Sequence, residues 1–162
     1  MTDEQASSTS TEPVLRVNKV YIKDLSFESP AAPQIFRNEA EEQPQVSLQL
    51  NTETQQLDEQ LYEVTLVVTV TGSNSSRTVF LAEVKQAGLF HIEGFSDSDR
   101  DQVLGAYCPG TLFPFAREAI AEVVQKGGLP QLVLQPINFD ALYAQQQRER
   151  QAAGASASDA AQ

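Results

Sequence analysis

The residue types that most often carry chemistry are scarce in this chain. His91 is the only histidine and Cys108 the only cysteine among 162 residues. Only fragments of a Ser-His-Asp arrangement or of a zinc cage built from cysteine and histidine are therefore present. His91 lies in an alternating segment and Cys108 lies beside a proline among apolar residues, which favours structural roles for both. We predict a protein that is not an enzyme and that has no metal site and no cofactor.

Carboxylates are more abundant, but their spacing does not suit a calcium site. Asp97, Asp99 and Asp101 lack the glycine and the terminal glutamate of a calcium-binding loop, so we interpret them as the acidic start of a helix. Gly127 and Gly128 show no phosphate-loop pattern and predict the end of a helix instead.

Aromatic side chains are the unusual set, since the chain has no tryptophan and a single methionine. Most rings in a domain of this size belong to the core. Phe36, however, lies in the proline-bounded segment SPAAPQIF, and Phe139 and Tyr143 lie at the predicted start of the last helix. At such positions rings can line a groove at the edge of a small domain. A groove of rings backed by acidic side chains would accept extended, apolar chains that also carry basic residues.

The charge balance excludes several classes of partner. The chain has 11 basic and 22 acidic residues, a net charge of −11. This charge repels nucleic acid and anionic lipid headgroups and favours basic partners. No apolar run approaches the ~20 residues that span a bilayer, the N-terminal segment does not resemble a signal peptide, and a single cysteine excludes an intrachain disulfide. We expect a cytoplasmic protein that does not bind nucleic acid or insert into a membrane.

The first half of the chain predicts the strands that would position these rings. Apolar residues alternate with polar ones over Tyr62–Val70 and again over Thr78–Gln86, and a turn-rich loop joins the two into a hairpin. A shorter alternating strand covers Val46–Leu50. Leu15–Phe27 is also extended, and its loss of phase near Asn18 predicts a bulge. Four antiparallel strands are expected.

From Asp97 onward the apolar spacing changes to three and four residues. Leu112–Val124 has the stripe of an amphipathic helix, after a shorter helical piece, Asp99–Tyr107, that we expect to be interrupted around Pro109. Asn138 is placed to cap a last helix. Strands followed by helices predict the α+β class, with the helices packed on one face of a four-stranded antiparallel sheet.

The two ends of the chain have a composition that does not support packing. Residues 1–13 are polar and acidic, and residues 151–162 are rich in alanine and serine with almost no large apolar side chain. We predict disordered tails over 1–13 and 151–162 and one folded domain over 14–150.

Four segments, in this order, resemble the SecB family of bacterial export chaperones. They are VYIKDLSFESPAAPQIF (20–36), FLAEVKQAGLFHIEG (80–94), LGAYCPGTLFPFARE (104–118) and PQLVLQPINFDALY (130–143). The resemblance implies a homotetramer, a dimer of dimers in which the sheets pair edge to edge and the helices lie between them. It also implies an ATP-independent chaperone that holds nonnative preproteins unfolded and delivers them to the SecA motor.

The resemblance also implies roles for individual residues. A groove for client chains would use Phe36, Phe80, Phe139 and Tyr143, a SecA-docking surface on the outer face of the sheet would use Asp24, Glu28, Leu81 and Glu83, and assembly would use Ala82, Val84 and Gln86. An alternative implied by SecB-like chaperones of toxin–antitoxin systems is a chaperone dedicated to a single partner such as an antitoxin.

Overall fold

Four long strands form one antiparallel sheet. The structure, a computed structural model, describes residues 11–37, 42–75 and 77–160. The strands are β1 (Val14–Glu28), β2 (Gln45–Gln56), β3 (Leu61–Ser73) and β4 (Thr78–Glu93), and their order across the sheet is β1-β4-β3-β2. Alternate apolar residues of the two central strands, the even-numbered ones, share one buried face, as the period of two predicts. β1 and β2 are the two edges.

The edge strand β1 keeps its apolar residues on the same face by means of two bulges. The pairing with β4 shifts between Val17 and Lys19, which confirms the predicted bulge at Asn18, and shifts again between Ile22 and Asp24. An extra residue at each place restores the alternation that the sequence breaks. At the second bulge the Gln86 side-chain amide donates to the Tyr21 carbonyl at 3.1 Å, so the backbone there has a partner.

The first two helices run into each other through a π turn. α1 (Asp97–Gln102) is capped by Ser96, the π turn covers Val103–Tyr107, and α2 (Cys108–Lys126) follows directly. The predicted interruption around Pro109 is therefore wrong. Proline lacks the N–H that would bond one turn back, and the wider π turn just before it lets the helical path continue past that missing bond.

The end of α2 and the start of α3 follow the expected signals. Gly128 adopts a positive φ of 80°, the left-handed conformation that glycine permits at the end of a helix. A segment without helix or strand, 129–138, then leads to α3 (Phe139–Asp159), where the Asn138 side chain accepts a hydrogen bond from the Ala141 backbone N–H at 3.0 Å. The predicted cap at Asn138 is confirmed.

All helices lie on one side of the sheet. The apolar stripe of α2, from Leu112 to Val124, packs on the buried face of the two central strands, and α3 adds Phe139 to the same core. This arrangement confirms the predicted α+β class, a four-stranded antiparallel sheet with helices on one face.

The structure describes only parts of the two predicted tails. Residues 1–10 of the predicted N-terminal tail lie outside the described residues, and β1 begins at Val14. At the other end, 151–159 continue α3 as an exposed helix, where the sequence predicts a disordered tail. No side chain of 151–159 is buried, so this stretch has no support from the core, and the domain boundary at residue 150 stays a prediction.

Candidate functional site

Phe139 and Tyr143 lie one turn apart near the start of α3 and border a concave surface at the edge of the sheet. Phe139 is buried and tilts against Phe113, with ring centroids 5.7 Å apart at 59°. Tyr143 is partly exposed. Both line a cavity of about 510 Å³ that opens between α3, the π turn and strand β2, where Leu50 and Thr52 form the opposite wall. The predicted pair is therefore brought together at an open, partly apolar surface.

Phe36 lies at the other end of α2. It belongs to a 3-10 turn, Gln34–Phe36, and is 54% exposed. With Ile35, Gly128 and Leu129 it lines a second, smaller cavity of about 250 Å³. Phe36 thus does not share a pocket with Phe139 and Tyr143, although the same resemblance grouped them.

Phe80 lies below the surface. Its ring is 3% exposed and stacks on Phe27 with centroids 6.2 Å apart, and it covers the Cα of Gly72 so closely that a Cβ there would lie 2.2 Å from it. A bulge next to Gly72 in the β3–β4 pairing accompanies this packing. In this conformation Phe80 belongs to the core and does not itself meet the solvent.

An apolar strip on β2 joins the two cavities, and it was not predicted as a functional surface. Val46 is 43% exposed and Leu48 is 38% exposed, while Leu50 borders the larger cavity. They pair with Gly72, Val70 and Val68, so all three face the helix side of the sheet. The alternation of these residues predicts a strand, but it cannot show that the helices leave this edge of the sheet uncovered.

The four predicted docking residues share the opposite face of the sheet. Glu28 pairs with Leu81, Glu83 lies two residues from Leu81 along β4, and Asp24 lies four residues from Glu28 along β1, where it pairs with Lys85. All four point away from the helices. The Thr69 hydroxyl donates to the Glu83 carboxylate at 2.8 Å, which fixes that side chain on the surface. Leu81 is thus an apolar residue near carboxylates on this face, and its role in docking stays a prediction.

Ala82, Val84 and Gln86 lie inside the chain. They are 1%, 0% and 3% exposed and face α2 within the same molecule. They are therefore not surface residues of a single chain. They support α2 and, through the bond from Gln86 to the Tyr21 carbonyl, edge strand β1.

A polar cluster on the outer face was not anticipated. The Tyr21 hydroxyl of β1 donates to the Glu63 carboxylate of β3, and the Lys23 ammonium contacts the other Glu63 oxygen at 2.9 Å. These bonds lower the pKa of Glu63, while burial, followed by the bond to Glu63, raises the pKa of Tyr21 to about 12. The cluster joins β1 to β3 across β4.

Cys108 and His91, the two remaining candidates for chemistry, lie in surroundings that favour structural roles. Burial raises the pKa of the Cys108 thiol to about 12, so it stays protonated at neutral pH. His91 contacts Glu93 at 3.2 Å on the outer face of the sheet. Among the described residues, no group of three or more histidine, cysteine, aspartate or glutamate side chains is arranged to hold a metal. No helix in the same ranges is long and apolar enough to cross a membrane.

Comparisons with known proteins agree with one another. The family described as preprotein translocase subunit SecB matches residues 8–150. Proteins named protein-export protein SecB are 49% identical in Nitrosococcus oceani, covering 95% of this chain and 94% of the relative, and 50% identical in Halorhodospira halophila, covering 90% and 83%. A SecB-like chaperone of Mycobacterium tuberculosis, solved with a peptide from an antitoxin, has the same fold, with a TM-score of 0.63 at 16% identity over 76% of this chain and 90% of that one.

Proposed function

The chain belongs to the SecB family of export chaperones, and on that premise we propose that it keeps nonnative preproteins unfolded in the cytoplasm and delivers them to the SecA motor. In this role the chain uses no ATP or other cofactor and performs no catalysis. The export chaperone role follows from family membership, with relatives about half identical over almost the whole chain.

The observation that carries the client site is the uncovered apolar strip of β2 between two cavities. We assign client binding to Val46, Leu48 and Leu50 together with Phe36 at one end and Tyr143 at the other. Strand residues on one face repeat about every 7 Å, which matches alternate side chains of an extended chain. Partial exposure keeps these side chains available, and their burial by a client would stabilise the complex. Phe80 and Phe139 support the walls of this surface.

An experiment on folding tests the proposal. The chaperone should slow the refolding of several unrelated precursor proteins at a similar molar ratio. Leu48→Ser should weaken this effect, because it removes apolar surface from the strip. Leu57→Ser should not, although this leucine in the loop after β2 is even more exposed, at 48% against 38%. Refolding followed by fluorescence after dilution from denaturant gives both rates. Unchanged precursor folding in the presence of the parent protein would contradict the function itself.

We assign SecA docking to the outer face of the sheet, where Leu81 lies beside Glu28 and Glu83. A small basic module suits this surface, because charges of opposite sign raise the encounter rate and an exposed leucine adds contact area. The net charge of −11 acts in the same direction.

We propose assembly as a dimer of dimers with β1 as the edge that pairs. The helix side of β1 carries Val17, Ile22 and Leu25, which are each 40 to 48% exposed and are left uncovered by the part of the chain that the structure describes. An edge strand with exposed apolar residues is a surface that association would bury. Ala82, Val84 and Gln86 would affect assembly indirectly, because they support α2 and β1 from inside.

The second candidate is a chaperone dedicated to one partner. The Mycobacterium tuberculosis protein, which was solved with an antitoxin peptide, favours it by its shared fold. The much higher identity to protein-export proteins favours general export work. Breadth separates the two, because a dedicated chaperone would slow the folding of one partner and leave unrelated precursors unaffected.

A further inference from the structure

The start of α3 rests on the π turn through one residue that has no side chain. A Cβ built on Gly105 would lie 2.5 Å from both Cδ2 and Cε2 of the Tyr143 ring, well inside van der Waals contact. The ring therefore lies directly on the backbone of the π turn. Only glycine allows this approach without moving the ring or the helix.

Other helical glycines in the chain do not have this constraint. A Cβ on Gly110 would lie 3.7 Å from Phe139, an ordinary contact, and a Cβ on Gly154 would meet nothing within 4 Å. Glycine inside a helix lowers the stability of that helix relative to alanine. At Gly105 this loss has a packing reason, and Gly110 offers a matched position in the adjoining helix where alanine fits.

The contact also determines the shape of the larger cavity. Phe139 and Tyr143 lie four residues apart and so share one face of α3. Phe139 lies against α2 near Gly110, and Tyr143 lies against the π turn at Gly105, so α3 is held at two points one turn apart. Gly105, Leu104 and Tyr143 are all cavity-lining residues. The position of the Tyr143 ring therefore sets the distance between α3 and the opposite wall on β2.

We propose that the π turn and Gly105 form a seat for the Tyr143 ring that holds it in the wall of the client groove, so that Gly105 is a positioning residue for client binding. This inference rests on the proposed function, because the ring matters for binding only if the cavity receives a client. The π turn contributes by widening the helix at the place where the ring approaches, and such turns occur often at functional sites.

The test measures client affinity in full-length variants. Reduced and carboxymethylated α-lactalbumin, which stays unfolded, serves as the probe, and its Kd is measured by fluorescence anisotropy. Gly105→Ala should weaken binding by roughly tenfold, the loss expected when a well-packed ring leaves an interface. Gly110→Ala should bind like the parent. Fluorotyrosine NMR reports the ring itself, because only four tyrosines are present, and the Tyr143 signal should move in Gly105→Ala but not in Gly110→Ala.

A double variant separates positioning from general damage. Gly105→Ala with Tyr143→Ala should bind the probe as weakly as Tyr143→Ala alone. Gly105→Ala should also lower the Tm less in the Tyr143→Ala background than in the parent, since the added methyl group then meets no ring. The inference is overturned if Gly105→Ala binds with the affinity of the parent, if the two single losses of affinity add, or if Gly105→Ala lowers the Tm equally with and without the ring. Failure of the parent protein to bind the probe would instead overturn the proposed function.

Discussion

At the scale of single residues, Glu63 connects an edge strand to the centre of the sheet. It accepts bonds from Tyr21 and Lys23 on β1 while lying on β3, so the cluster spans β4. Backbone pairing joins β1 to β4 alone, and this side-chain link adds a second attachment for the edge that we propose pairs with another copy. The ionised form of Glu63 is the one that these donors stabilise.

The first prediction concerns Glu63→Gln, which should lower stability at pH 7 by roughly 1 to 2 kcal/mol because a charged acceptor is lost. The pKa of Glu63 is lowered in the folded state, so its contribution is complete above the unfolded value of about 4.3 and is lost as the pH falls through the folded pKa. Urea titrations from pH 7 to pH 3 should show the difference from the parent shrinking at the acidic end.

At alkaline pH the stability that Tyr21 contributes to the same cluster has the opposite dependence, because it is lost as the pH rises. The pKa of Tyr21 is raised to about 12 in the folded state, so the contribution of its hydroxyl is complete below about 10 and is lost as the pH rises through about 12.

Glu53→Gln serves as the control for Glu63→Gln, because Glu53 lies on the same face of the sheet but is exposed on β2. A Glu63→Gln difference that stays constant with pH would contradict this account of the cluster.

The second prediction at this scale concerns delivery. Glu83→Lys should strongly weaken binding of a basic SecA segment, because it places beside Leu81 a positive charge that repels the segment. Client capture and oligomer mass should stay as in the parent. Glu53→Lys makes the same change in net charge at the far edge of the same face and should bind nearly like the parent. Calorimetric titration measures both. Equal affinity of Glu83→Lys and parent would place docking elsewhere.

At the scale of elements, the face of the sheet that a β4 residue occupies decides how much stability its substitution costs. Val84 faces α2 and is fully buried, while Leu81 faces the opposite side and is partly exposed. Val84→Asp should therefore destabilise the chain by about 3 kcal/mol or more, since it buries an unpaired carboxylate. Leu81→Asp should cost far less. Thermal unfolding of the two variants provides the comparison. Equal losses of Tm would mean that Val84 and Leu81 do not lie on opposite faces of the sheet.

Sequence patterns predict which face of an element a residue occupies better than whether that face is covered. The alternation in β3 and β4, the bulge at Asn18 and the cap at Asn138 are local signals, and the structure bears them out. The exposure of Val46 and Leu48 depends on where helices distant in sequence end, so no local pattern contains it. The burial of Phe80 depends in the same way on Phe27, more than fifty residues away.

The π turn shows a different limit. Pro109 and Gly110 are both residues that interrupt helices, and they led to a predicted break between two helical pieces. The structure keeps one helical path and accommodates Pro109 by a wider turn over Val103–Tyr107. The π turn also receives the Tyr143 ring at Gly105, a contact that joins two segments far apart in the chain.

At the scale of the whole molecule, assembly should depend on β1 and not on β2. Ile22→Asp combined with Leu25→Asp should reduce the mass in light scattering below four times the 17.7 kDa chain, because it places two charges on the apolar edge that we propose pairs. Leu48→Asp, on the other edge strand, should keep the parent mass and lose client capture. The reverse outcome would exchange the roles of the two edges.

The central claim is that an assembled, acidic chaperone holds an unfolded client on an apolar surface beside α3. Native mass spectrometry with and without an unfolded precursor tests it most directly, because one spectrum reports both the oligomer and the captured client. We predict a tetramer of the 17.7 kDa chain alone, a tetramer with one precursor bound in the mixture, and a clearly smaller fraction of this complex for the Leu48→Ser variant. A monomer that does not change with concentration, or a tetramer that never acquires the precursor mass, would contradict the account.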